Sequence, residues 1–240
     1  ALHEEWFGPP AIASTDDVRA ALARAAEADA SIPTRFLLGE WTDVVDAWQI
    51  RDWEAYRDAR RLGRKTRLGA KQREALWRVF EAVRADLAAT GQVTRADAFA
   101  RVTQAIEAGR EAPWRFAVVD EAQDLGVPEA RLLAAIGAGR ANALFFAGDL
   151  GQRIFQQPFS WKALGIDVRG RSHTLKINYR TSHQIRLAAD RLLPAEIADI
   201  DQAAEARGGT VSLFDGPAPE IATFVGADAE AELARLPVSE

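Results

Sequence analysis

The 240-residue chain has no cysteine and no methionine. The first absence excludes disulfides and thiolate metal sites and fits a cytoplasmic setting. The second is unusual, since ordinary usage would supply roughly five in a chain this long. With an opening that starts mid-pattern, "ALHEEWFG", it leads us to expect an internal piece of a longer protein. No apolar run reaches membrane-spanning length and no signal-peptide pattern opens the chain, so no membrane partner is expected. A phosphate loop of the form GxxxxGK(S/T) is also missing. Positive charge is in deficit: the net charge of −5 by itself argues against nucleic acid.

What is present describes a soluble globular protein, with 48% hydrophobic and 27% charged residues. The length allows one large or two small domains. The charge is unevenly spread. "RDARRLGRKTRLGAKQR", Arg57 to Arg73, holds eight basic residues and one acidic. A basic patch on an acidic protein is a better anion-binding signal than uniform charge.

The first half reads as helical. "STDDVRAALARAAEAD" offers Ser14 or Thr15 as an N-cap, followed by Asp16 and Asp17 in the positive first turn. "EWTDVVDAWQIRDWEAYRDARRL" spaces Trp41, Val44, Val45, Trp48 and Trp53 as one helix would. "AKQREALWRVFEAVRADLAATG" and "TRADAFARVTQAIEAG" repeat the pattern. These tryptophans predict a helical core rather than a ligand cage.

The second half alternates strand-length runs, "RFAVVD", "NALFFAGD", "SHTLKINYR" and "GTVSLFDG", with the helices "VPEARLLAAIGAG" and "SHQIRLAADRLL". That alternation predicts an α/β fold with a parallel sheet, in which ligands gather at the carboxyl ends of strands. Three of the runs end in "DEAQD", "GDLGQ" and "NYR". An aspartate at a strand tip suits nucleotide-bound magnesium, and a neighbouring glutamate can deprotonate water for attack on a terminal phosphate. Asp120 and Glu121 fit that division. Asp149 and Gln152 follow on the next strand's loop, and a glutamine amide can hold both water and phosphate oxygen. Arg180 has the fixed charge that a phosphoryl transition state needs. Taken singly, each cluster is an ordinary strand end. Their order on successive strand ends is the signal.

"VVDEAQD", "FAGDLGQRIF" and "LKINYRTS" resemble motifs II, III and IV of superfamily 1 DNA helicases of the UvrD/Rep type, in order and at similar spacing across about residues 115–190. The resemblance implies a partial RecA-like core of the P-loop NTPase class with a mostly α-helical inserted subdomain. The implied divisions are 1–38, a connecting segment of the first RecA-like domain; 39–112, the helical insertion; 113–165, the late part of the first domain; and 166–240, the start of the second. It implies ATP as substrate, magnesium as cofactor, and single-stranded and duplex DNA as partners, with RNA left open. By motif position Asp120 would ligate magnesium, Glu121 would activate water, and Gln152 would sense the γ-phosphate. Asp149 would belong to the nucleotide site, Tyr179 would stack on adenine, and Arg180 would contact the γ-phosphate. Phe155 takes the place of the motif III tyrosine, and Trp161 that of a tryptophan stacking on single-stranded DNA. Core packing is the competing reading for Phe155, Phe159 and Trp161. "LHEEW" is similar to an early DNA-contacting motif, which makes His3 a candidate contact.

The departures bear on activity. "RLGRKTRLG", the nearest approach to a phosphate loop, has the wrong spacing and helical neighbours, and the late motifs are absent. This piece by itself is therefore expected to be inactive. The basic run is better read as a DNA-backbone patch, with Arg64 and Lys65 at its centre; a solvated helix end competes. Two rivals remain: a non-catalytic, helicase-derived DNA-binding or regulatory module, and a nuclease using Asp120, Glu121 and Asp124 around two metal ions.

Overall fold

The computed structural model describes residues 1–27, 32–59, 61, 66–149, 159–192 and 210–219, and the backbone of 196–198 and 204–206. The chain divides into two compact units, Ala1–Ser172 with Ala198–Ala203, and His173–Ile197 with Ala204–Glu240. The architecture is mixed α/β, mostly helical, with short parallel strand pairs. None of its described helices is long and apolar enough to cross a membrane.

Capping fixes several helix starts in the first unit. α2 (Thr15–Ala25) begins at Ser14, whose Oγ accepts from Asp17 N while Asp17 Oδ2 accepts from Ser14 N, 3.1 and 2.8 Å. Thr94 and Asp97 repeat that reciprocal box at the start of α6 (Arg95–Glu107). The stretch expected as a single helix from Glu40 is instead broken. α3 (Thr34–Glu40) runs into a wider π-helical turn, Trp41–Asp46, and the chain then leaves the helix at Gln49, whose φ is 55°. It restarts as α4 (Trp53–Asp58) because Asp52 caps Ala55 N at 2.7 Å. A good cap here outweighs unbroken periodicity.

α5 (Ala70–Ala89) supplies the main wall of the helical interior. Leu76, Phe80, Val83 and Leu87 recur at three- and four-residue steps and meet Leu22, Leu37, Trp41, Val45 and Tyr56. Tyr56 lies edge-on to Phe80 and stacked on Trp77, each with ring centres 5.6 Å apart. α1 (Leu2–Phe7) packs on α6, with Arg110 over Trp6 and Arg101 over Phe7.

Two parallel strand pairs belong to this unit: β1 (Ala11–Ile12) with β2 (Gln92–Val93), and β3 (Ala117–Val119) with β4 (Leu144–Phe146). The second pair places Val118 beside Phe145. α7 (Val127–Gly137), with Pro128 in its first turn, joins these two strands. Val119, Leu144 and Phe146 face a small core of Ala130, Phe159, Trp161 and Ile166. On the opposite face Val118 and Phe145 remain exposed. In the second unit β5 (Ile177–Asn178) pairs in parallel with β8 (Val211–Ser212), and α8 (His183–Asp190) follows β5. Between them, β6 (Glu196–Ala198) pairs with β7 (Ala204–Ala206). All four strand-length runs contain strands, but of only two or three residues.

Candidate active site

Because β3 and β4 are parallel neighbours, their carboxyl ends open side by side. The ladder continues past both strands: Ala147 N donates to Val119 O and Ala122 N to Ala147 O, each at 2.8 Å. These bonds pin the chain on both sides of Glu121 and force a sharp turn there. Glu121 has φ 51° and ψ 41°, a left-handed conformation that a residue with a Cβ seldom adopts. Its N–H donates to Asp120 Oδ1 at 2.9 Å, and its carbonyl accepts from Asp124 N at 2.9 Å in the short 3-10 turn Ala122–Asp124. Strain of this kind persists where surrounding bonds over-determine it, and it concentrates at functional sites. Asp120, Glu121 and Asp124 all face water.

A residue that the sequence reading passed over joins the two loops. Gln123 is only 6% exposed. Its Nε2 donates to Glu121 Oε2 at 2.6 Å, and its Oε1 accepts from Asp149 N at 3.0 Å. Asp149 thus sits at the same strand-end pair as Asp120 and Glu121. The available signal was the glutamine itself: an amide between two carboxylates in "DEAQD" carries both a donor and an acceptor.

The motif resemblance implies magnesium. An exposed strand-end carboxylate suits a cation that keeps most of its waters, so Asp120 fits the role. Among the described residues no group of three or more His, Asp or Glu side chains gathers as a metal site. Asp120, Glu121 and Asp124 therefore do not form the convergent set that a two-ion nuclease requires.

The second unit builds its own strand-end turn. Asn178 Oδ1 accepts from Arg180 N and Thr181 N at 2.8 and 3.1 Å, and its Nδ2 donates to Thr181 Oγ1 at 2.6 Å. This asparagine-centred turn leaves Tyr179 70% exposed and Arg180 exposed. Ser182 then caps α8, and His183 N donates to Phe214 O at 3.0 Å.

Other expected site residues stand differently. Trp161 is a correction: it is buried, with Phe146 and Phe159 rings each 5.1 Å away, and so offers no face to a base. Phe159 is likewise core. His3 is half-buried on α1, where Nδ1 donates to Gly8 O at 3.2 Å beside the Phe7 ring. Gln152, Phe155, Arg64 and Lys65 lie outside the described residues.

The basic run is partly structural. Arg61 Nε and Nη2 form a two-pronged pair with the Glu40 carboxylate at 2.7 and 2.6 Å, with both side chains buried. Tyr56 Oη donates to the same carboxylate at 3.1 Å. Burial, then the Glu40 charge, pushes the Tyr56 phenol well above its ordinary range. Arg73 Nη1 donates to the carbonyls of Tyr56 and Arg57, which close α4, at 2.9 and 2.6 Å. Arg57 pairs with Asp58. Arg67 and Lys71 are exposed.

No family model matches the chain, and no curated protein matches it. The likeness to superfamily 1 helicases rests on the three motifs themselves.

Proposed function

We propose that this chain is part of an ATP-dependent DNA helicase, with a RecA-like core, whose hydrolytic residues lie on the loops after β3 and β4. The observation that carries the reading is Glu121: an exposed carboxylate on a left-handed backbone, beside Asp120 and gripped by a buried amide that also holds the neighbouring strand's loop. A general base needs that combination of fixed position and access to water. Glu121 takes a proton from the attacking water as its oxygen bonds to the terminal phosphorus and the bond to the ADP leaving group breaks. Magnesium, when bound, supplies charge neutralisation at the phosphates, with Asp120 as its protein ligand. The motif resemblance assigns adenine stacking to exposed Tyr179, phosphate neutralisation to exposed Arg180 and γ-phosphate sensing to Gln152. Cycles of hydrolysis would drive single-stranded DNA translocation and duplex unwinding.

A second reading, a non-catalytic helicase-derived module, is favoured by the missing GxxxxGK(S/T) within these 240 residues. ATP turnover by the intact protein, with and without single-stranded DNA, separates the two. DNA-stimulated turnover supports the enzyme; DNA binding with no turnover supports the module.

A further inference from the structure

We infer that Gln123 is a positioning residue that locks the Glu121 carboxylate to the loop after β4. The inference deepens the hydrolytic reading above and rests on it. Both ends of the amide are used, and each partner permits only one orientation. A carboxylate oxygen can only accept, so the atom 2.6 Å from Glu121 Oε2 is Nε2. A backbone N–H can only donate, so the atom 3.0 Å from Asp149 N is Oε1. Reversing the amide would set acceptor against acceptor and donor against donor.

The backbone makes room for this bridge. A Cβ on Gly148 would sit 2.5 Å from Gln123 Oε1, 3.0 Å from Ala122 N and 3.2 Å from Gln123 N. Gly148 does not have a positive φ, so close approach rather than backbone freedom is what asks for glycine there. The bare position lets the amide close on the β4 loop. Two consequences follow. Glu121 is exposed and would otherwise sample several rotamers; the amide selects one. Any shift of the Asp149 backbone is carried through one rigid amide plane to the Glu121 carboxylate, so the motif III loop sets the base of motif II.

The test uses the intact protein and measures steady-state ATP turnover on saturating single-stranded DNA, with binding of a fluorescent ATP analogue alongside. Gln123→Ala should lower kcat by about 10²-fold, the scale of a base displaced by about 1 Å. KM for ATP and analogue affinity should stay within about two-fold, because Gln123 orients the base and does not hold the nucleotide. Gln123→Glu keeps the size and the acceptor for Asp149 N but loses the donor to Glu121, and should show the same split if the alanine variant folds poorly. Gly148→Ala should lower kcat in wild type, and much less in the Gln123→Ala background, since both changes act through one contact. The inference is overturned if Gln123→Ala and Gln123→Glu turn over like wild type while Glu121→Gln is inactive. It is equally overturned if kcat and analogue binding fall together. Unimpaired turnover by Glu121→Gln would instead overturn the hydrolytic reading itself.

Discussion

Two carboxylates of the first unit, Glu40 in the helical interior and Glu121 after β3, are both held by hydrogen-bonded side chains, and to opposite ends. Glu40 is fully buried and saturated by Arg61 and Tyr56. Nothing from outside can reach it. Glu121 receives one buried amide donor, stands on a left-handed backbone and remains open to water. A buried pair of the first kind stabilises only while both members are present, since removing one strands a charge. An exposed, oriented carboxylate contributes little to stability and is available to a substrate. Polar order marks structure in one place and, on the function proposed above, chemistry in the other; exposure distinguishes them.

Loss of Arg61 should destabilise the helical interior most. Arg61→Ala leaves Glu40 buried without its countercharge and should cost on the order of 3–5 kcal/mol of unfolding free energy. Chemical denaturation of wild type and variant measures it. A loss near zero would mean that the pair is not truly desolvated.

Arg180→Ala should do the reverse. It sits exposed on a turn held by Asn178, so its loss should leave the melting temperature unchanged. Turnover in the intact protein should fall by about 10³-fold if Arg180 neutralises the phosphoryl transition state. Unchanged turnover would remove this residue from the site.

A smaller effect probes the helical interior through pH. Burial, with the Asp97 charge adding to it and the Thr94 hydroxyl opposing it, raises Asp46 to about 6. The folded protein thus binds this proton more tightly than the unfolded chain does. The group's contribution to stability is present below its ordinary range near 3.8 and is lost as pH rises through about 6. Asp46→Asn is neutral throughout and should gain on the order of 1 kcal/mol at pH 7 and almost nothing near pH 4. Melting temperature against pH reads this directly; an equal gain at both ends would reject the assignment.

The smallest expected change concerns the basic run. Arg61 and Arg73 are turned inward, so any DNA contact falls to the remaining basic residues. Alanine at Arg64 and Lys65 together should make the salt slope of single-strand affinity shallower by about 1.4, regardless of base sequence. An unchanged slope would mean that Arg64 and Lys65 make no contact with DNA phosphates.

Helical periodicity and caps made much of the first half legible: Ser14 and Thr94 start helices where hydroxyl residues precede apolar repeats. The break before Asp52 was not, because periodicity continues through it while the left-handed Gln49 ends one helix and the Asp52 cap starts the next. The strand runs were located but read too long, since apolar length shows where a strand can form and pairing decides how far it extends. Inward-facing Arg61 and Arg73 were misjudged as one surface patch; charge along a chain does not reveal that Glu40 waits inside. Asp120, Glu121 and Asp149 stand at adjoining strand ends, as their order in the chain implies. Gln123 escaped notice because a polar residue in an acidic loop reads as solvated until its partners are seen.

Whether the exposed carboxylate after β3 serves chemistry is decided by DNA-stimulated ATP turnover of Glu121→Gln in the intact protein. The amide keeps the size of the side chain but is a poor base, so turnover should fall by at least about 10²-fold with analogue binding and melting temperature preserved. Turnover near that of wild type would contradict the account.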